Sequence, residues 1–579
     1  MTFRTGPVRR SGRSWSGRDR RNLWINLGFG LVVVLAVVIL GGAGFMTWYD
    51  QHLSAVAHVN GQAITKDDLV ERAKVESVRL GITGNRLQTE HSAGRLSDAA
   101  FEQVQQQLTQ AQQQIAATAL EDLIDERIQT QLANQQGIAI TAEQIDAKLT
   151  EEATLPEQRR IWVIEVEPAV DEGKSDPSAA QKAAAKKTAD EALADLNANK
   201  DWIEVSKARS TASGKETGGD LGWLTKETSV VEAPVRDAAF GLQLNGHTNV
   251  IEGEDGTFRI ARVTDIVPSS VDDTYQQQIT DKGITLDQYK VVLRSALVRQ
   301  ALSDKIKQQA LQPGPQRHVQ AIYIKEQTDQ QTGEPVTPAA DAVKARHILF
   351  APNDDAQAAS KLKADDPAWK KAEDEARKAW EKLKADPTLF PQMARDDSDD
   401  SGSGAQGGSL GYQEKEGSGF VEPFANAIFA PGLKPGQLLD PVKTEFGWHI
   451  IQIVSIGSDT NEAADLKKQI DGGADFGKLA KEWSDGSEAD DGGDLGWIAR
   501  FQKGVDLENA IFNTAVGKVS DPIKIDGEGV YLIKVLAEET RTPEGDQKQT
   551  LEDDAFNNWY AAQKKTFDVK HDLDTSSGA

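Results

Sequence analysis

The sequence predicts an α+β protein in which one small module is used three times, beside a helical domain and behind an N-terminal transmembrane helix. Three observations carry that expectation. The turn Gly-Gly-x-Leu-Gly occurs at 218–222, 407–411 and 492–496, each time after a helical stretch and ahead of further strand signals, which is the mark of an internal repeat. Apolar residues keep near-helical spacing at Leu108, Ile115, Leu120, Ile124, Ile128 and Leu132, and again at Leu286, Tyr289, Leu293, Leu297 and Ile306. Residues 23–49 are apolar apart from Asn26 and Thr47, with an unbroken aliphatic run at 31–40.

At 579 residues the chain is too long for one core, and roughly three to five domains are expected. It has no cysteine, which excludes disulfides, a lipid-modified cysteine, thiolate metal sites and thiol catalysis. The net charge is -25 although residues 1–22 hold seven arginines against Asp19 alone, so the remainder is more acidic still. Such a surface favours solubility and argues against nucleic acid as a partner.

At ~1.5 Å per residue, residues 23–49 are long enough to cross a ~30 Å hydrocarbon core. Trp24 at one end and Trp48 with Tyr49 at the other fit interfacial belts, and the arginines of segment 1–22 place the N-terminus in the cytoplasm. The expected location is the cell membrane, single-pass, with the bulk extracytoplasmic. A cleaved signal peptide ending at Ala55-Val56-Ala57 is the competing reading, although signal-peptide cores usually run only ~7–15 residues.

Next come a short strand, an Asn60-Gly61 turn and Thr65 as N-cap of a helix with Asp67 and Asp68 in its first turn. Gly137 is a helix stop, and Thr141 with Gln144 forms a capping box. Strand signals then interrupt the helical pattern until Leu286, so 156–268 reads as an insertion and 269–315 as the return to the helical domain. Within 156–268 lie a strand, an Ala/Lys helix and the first Gly-Gly turn.

The third copy, at 457–540, lacks a leading strand of its own. An orphan strand, 317–325, precedes the central copy, so the central copy at 343–456 is expected to be inserted into the third. The C-terminal helix, 549–567, carries Leu551, Phe556, Trp559 and Tyr560.

The central copy opens on Ala345-Arg346-His347-Ile348-Leu349-Phe350 and closes on Phe446-Gly447-Trp448-His449-Ile450-Ile451, with Ser398-Asp399-Asp400, the Gly-Gly-Ser-Leu-Gly turn and Phe420 and Phe424 between. That order resembles the parvulin-type, PpiC-like peptidyl-prolyl cis/trans isomerases. The Val59-Asn60-Gly61 segment ahead of a helical cradle resembles the N-terminal domain of SurA-type and PrsA-type chaperones. The resemblance implies a small antiparallel sheet with flanking helices for each module, a SurA-like helical domain at 50–155 plus 269–315, and a C-terminal helix that returns to it.

It further implies a proline-ring pocket of Leu410, Phe420 and Phe424, paired histidines His347 and His449, Asp400 near the substrate carbonyl and Thr444 in the histidine network. Phe446 and Val421 depart from the family pattern, where small polar residues and glutamine are common. In the first copy Val163 falls at the first histidine position and Phe258 or Arg259 at the second; the third has Ala321 and Tyr531. His318 stands three residues early. The flanking copies therefore read as binding modules without the polar set.

The implied chemistry is rotation about X-Pro bonds, whose barrier of ~18–20 kcal/mol reflects lost amide resonance and whose spontaneous exchange takes ~10–100 s. It needs no nucleophile, cofactor or metal, only a slot for the ring and polar groups that favour the twisted amide. The aspartate clusters at 396–400 and 490–494 lack cation-loop spacing and read as solvated acidic turns. The expected partners are unfolded or partly folded secreted polypeptides containing proline. A rival expectation is a non-catalytic holdase or assembly scaffold that uses the modules only to bind peptide.

Overall fold

The computed structural model describes residues 54–572, apart from 172, 173, 175 and 329–331. The basic segment 1–22 and the apolar segment 23–49 lie outside the described residues; among those described, no helix is long and apolar enough to cross a membrane. The protein is a mixed α and β structure with several small antiparallel sheets, and its contacts divide it into two units, 54–302 with 567–572 and 303–566.

In the first unit the strands Ala55–Val59 and Gln62–Thr65 form a hairpin. Asn60 and Gly61 both take positive φ in its turn, the conformation a two-residue turn of matching twist demands. Thr65 then caps the helix Lys66–Ser92 in a capping box closed by Asp68, and Thr141 with Gln144 does the same for Ala142–Ala153. The core joins segments from both sides of the insertion: Val75, Val78 and Ile82, then Ile145 and Leu149, then Tyr275, Ile279, Tyr289, Val292 and Leu293. Between them the chain leaves and re-enters through a two-stranded pairing, Thr154–Leu155 with Ser270–Val271.

Three four-stranded antiparallel sheets share one strand order. The first places Asp220–Thr225, Gln158–Val166, Phe258–Val267 and Ile251–Glu252 side by side. The central one repeats it with Ser409–Gln413, Val343–Phe350, Trp448–Ile456 and Val442–Lys443. The third uses Asp494–Ala499, Gly314–Lys325, Gly529–Arg541 and Ile523–Ile525, so its second strand precedes the whole central module. That strand pairs Ile324 with Val530 and Ile322 with Leu532.

One backbone bond superimposes the three modules. The N–H of Val163, His347 and Ala321 donates to the carbonyl of Gly219, Gly408 and Gly493, at 2.9, 2.8 and 2.8 Å. Each glycine has positive φ, and a Cβ on it would run into the carbonyl oxygen of that same strand residue. The second glycine of every Gly-Gly turn is therefore imposed by close approach of two backbones.

In the central module the sheet has two packed faces. Ile348 and Ile450 face the helices Pro367–Ala385 and Phe390–Asp397, while Ala345, Ile451 and Ile453 face Phe424 and Ile428 of the helix Glu422–Ile428. Strand alternation puts His347 and His449 on the second face and Arg346 and Gln452 on the first.

Arg346 is buried there. It donates to Gln452 Oε1 (2.9 Å) and to the carbonyl of Glu482 (2.7 Å), and its guanidinium stacks over Phe390 and Trp483. Two residues earlier, Lys344 pairs with Glu462 at 2.9 Å. Glu462 belongs to the helix Asp459–Asp471 and Glu482 to Phe476–Trp483, and both helices pack on the third sheet. A buried ionic seam thus joins the central and third modules.

The last helix, Gly545–Lys564, packs Leu551 and Ala555 with Ala499 of the third module, and Ala310 and Leu311, from the 269–315 segment of the helical domain, pack against the same cluster. The strand after it, Val569–His571, is the segment that pairs with Ala55–Val59.

Candidate active site

The structure brings the sequence-predicted residues of the central module together at one place. His347 and His449 stack at 5.3 Å with their Nδ1 atoms 3.0 Å apart. Thr444 Oγ1 lies 2.8 Å from His449 Nε2, and His347 Nε2 is 2.9 Å from Asp400 Oδ2. Both histidines and Thr444 are about 95% buried, whereas the Asp400 side chain is 36% exposed, so the carboxylate is where the network meets solvent.

Electrostatics orders the protons. The bond from His347, followed by the one from Ser403, holds the Asp400 carboxyl well below the usual carboxylate range. Burial, reinforced by the neighbouring His347, pulls the His449 imidazole down to about 3, so it is neutral at neutral pH. With Asp400 ionised, His347 Nε2–H donates to it, His347 Nδ1 accepts from His449 Nδ1–H, and His449 Nε2 accepts from Thr444 O–H. These tautomers are assigned from the network. At its far end Thr444 Oγ1 accepts the backbone N–H of Phe446 at 3.1 Å.

Beside this chain lies the apolar set. Phe424 presents itself edge-on to both imidazoles, at 5.5 Å from His347 and 5.0 Å from His449, and Phe420 packs on Phe424 at 4.9 Å. Leu410 joins the same cluster, half-buried, as does Phe420. Val421 packs in it too, and caps the helix Glu422–Ile428 through its backbone. Phe446 is 36% exposed and touches the polar network only through its N–H.

One contributor was missed by sequence reasoning. Ser403 Oγ lies 2.9 Å from His347 Nε2 and donates to Asp400 Oδ2 at 2.6 Å. In Ser-Gly-Ser-Gly it reads as turn chemistry, and its only signal was its spacing of three from Asp400.

The flanking modules differ at each of these points. The strand pair formed by Leu349 and His449 in the central module corresponds to Glu165 with Arg259 in the first module and to Tyr323 with Tyr531 in the third, so Arg259, not Phe258, holds the second histidine position. Arg259 is enclosed by Glu165, Asp255 and Glu232, and Tyr531 stacks on Tyr323. His318 pairs with Asp494 and stacks on Trp497. The N–H of Asp399, Thr211 and Asp485 donates to the carbonyl of Leu349, Glu165 and Tyr323. The next residue along is Asp400 in the central module but Ala212 in the first and Gly486 in the third.

Residues 347–455 and 458–537 match the family model of the PPIC-type peptidyl-prolyl isomerase domain, and 147–266 match a second model of the same description. The chain belongs to the PPIC-type family. The match to the third module begins at 458, so the strand pairing above adds Gly314–Lys325 to that family domain.

Over 95 residues the chain is 40% identical to the foldase protein PrsA of Geobacillus sp. (strain WCH70), across 16% of this chain and 34% of that protein. Over 199 residues it is 30% identical to the foldase protein PrsA of Staphylococcus aureus (strain bovine RF122 / ET3-1), across 34% and 52%. The chain spans about a third to about half the length of these curated relatives. A crystal structure of PrsA from Bacillus subtilis aligns at 17% identity over 42% of this chain and 92% of that one, with a TM-score of 0.16. The solution structure of NmPin, the parvuline of Nitrosopumilus maritimus, aligns at 32% identity over 20% and 97%, with a TM-score of 0.14.

Proposed function

We propose that this chain is a membrane-anchored, extracytoplasmic foldase whose central module isomerises X-Pro bonds in proline-containing secreted or envelope polypeptides, with the helical domain and flanking modules holding the client. One observation carries the reading: of three modules with the same backbone, the central one alone combines paired histidines and an ionised aspartate with an aromatic pocket. The family match and the foldase relatives support it.

In this reading the proline ring enters against Leu410, Phe420 and Phe424, and the carbonyl preceding it turns past Asp400. A planar amide owes its stability to resonance that puts negative charge on the carbonyl oxygen. A fixed carboxylate beside that oxygen raises the energy of the planar form relative to the twisted one, which is differential binding of the transition state. The buried histidine–threonine chain holds the carboxylate's partner in one orientation.

The test is a protease-coupled proline-peptide assay on the full chain in detergent, because Lys344 and Arg346 bury their charges against the third module. His449→Ala is expected to lower turnover at least ~10-fold, since it removes the buried donor that sets the His347 tautomer. Tyr531→Phe in the third module should leave turnover unchanged. The opposite pattern would move the active site to a flanking module, and an inactive parent would favour the holdase. For the location, a reporter fused after Ala579 should be cut by protease added to intact spheroplasts; protection would overturn the proposed topology.

A further inference from the structure

Three modules of one backbone inside one chain separate side chains that build the fold from side chains that serve the site. Ser398 is of the first kind. Its Oγ accepts the N–H of Leu349 at 3.1 Å, and Ser210 and Ser484 do the same for Glu165 and Tyr323 at 3.2 and 3.0 Å. A serine present in all three modules at one strand contact is framework.

Ser403 behaves otherwise. The N–H of Gly408 donates to its carbonyl at 2.8 Å, and the matching bonds run from Gly219 to Gly214 (3.0 Å) and from Gly493 to Glu488 (2.8 Å). The same turn is therefore made with serine, glycine and glutamate, so the hydroxyl is not needed to close it. The serine occurs in the module that has the imidazole and the carboxylate, and in that module its Oγ sits between them, 2.9 Å from His347 Nε2 and 2.6 Å from Asp400 Oδ2.

The Asp400 carboxylate receives three donors in all. His347 Nε2–H and Ser403 O–H go to Oδ2, and the N–H of Gly402 goes to Oδ1 at 3.1 Å. Donors to the ionised form stabilise it, and donors on both oxygens fix the plane of the group. His347 and Gly402 hold one oxygen each, and the serine, which touches both His347 Nε2 and Asp400 Oδ2, closes a ring of three hydrogen bonds that ties the carboxylate to the imidazole.

Building on the isomerase reading, we propose that Ser403 is a positioning residue for the X-Pro rotation: its hydroxyl locks the Asp400 carboxylate and the His347 ring in one mutual orientation, so that the carboxylate faces the substrate carbonyl.

The experiment uses the full chain in detergent with Ser403→Ala, Ser403→Gly and Ser403→Thr. Each is followed by kcat and KM across pH, and by the imidazole 15N shifts of histidine-labelled protein. Ser403→Ala should lower kcat by about 3- to 10-fold, the worth of one lost hydrogen bond, with KM little changed. Its acid limb should move to higher pH, because a carboxylate with fewer donors is protonated sooner. The His347 shifts should move, Ser403→Thr should restore both readouts, and Ser403→Gly should unfold at the parent's temperature because Gly214 already closes that turn in the first module. An acid limb and His347 shifts that superimpose on the parent's would overturn the role. Failure of the isomerase reading looks different: the parent would show no turnover, while the His347 shifts would still report whether Ser403 holds the pair.

Discussion

Arg346→Ala is expected to cost unit 303–566 about 3–5 kcal/mol of stability, the range for removing one partner of a buried pair. Three losses combine. Glu482 Oε1, 3.7 Å from the guanidinium, keeps its charge without a cation, although its side chain is only 12% exposed. Gln452 Oε1 and the Glu482 carbonyl lose their donors. The space between Phe390 and Trp483, into which the guanidinium stacks from both sides, is left empty.

Burial pulls the Arg346 guanidinium down to about 10, with Glu482 opposing, so the pair is held by geometry against a large desolvation cost. The double substitution Arg346→Met with Glu482→Met should therefore recover most of the loss, because well-packed apolar replacements are often neutral or better. Urea unfolding of the two variants, followed by tryptophan fluorescence, decides the matter. A single variant within 1 kcal/mol of the parent would show that the seam is open to water.

The second large effect concerns rate. Asp400→Ala should lower kcat about 100-fold, as loss of one preorganised electrostatic group at a transition state commonly does, while KM changes little. Phe424→Ala should act the other way round, raising KM, and it should also destabilise the module by ~3–5 kcal/mol through the cavity it leaves under both imidazoles. Suppression of client aggregation, assigned to the helical domain and flanking modules, should survive Asp400→Ala. If isomerisation and aggregation suppression fall in proportion, the central module is one more peptide-binding surface and the division of labour proposed above is wrong.

Much of this arrangement is legible in the sequence because its signals are local or repeated. The Gly-Gly turns reveal the repeat, and a backbone approach too close for any side chain explains their second glycine. The orphan strand at 317–325 stands out because an apolar strand with no nearby partner must find one elsewhere. The strand position of Arg259 against Phe258 stayed open, since a shift of one residue exchanges the two faces of a strand and both readings leave an apolar alternation. The pairing of Arg346 with Glu482 was illegible: Arg346 sits in an apolar strand, Glu482 beside Lys481 in a helix of another module, and nothing local announces a partner 136 positions away. Ser403 was hidden by its neighbours, because glycine and serine in a turn already have a sufficient explanation.

The nesting of one module inside another also sets an order of events as the chain folds. Gly314–Lys325 emerges as a strand whose main sheet partner, Gly529–Arg541, follows the entire central module; Arg317 and Glu538, which pair at 2.7 Å, are 221 positions apart. The central module closes on itself with Val343 opposite Ile456, so once folded it brings its two ends together and removes more than a hundred residues from the loop that the outer sheet must close. Loop-closure entropy rises with the logarithm of length, and a saving of this size, a little over one halving of the loop, is worth about 0.7 kcal/mol. The inner module is thus a template for the outer one, whose long-range pairing would otherwise be slow and its waiting edge open to misassembly. On the foldase reading proposed above, the chain carries in its own topology a step at which one part assists another, the same service it would give its clients.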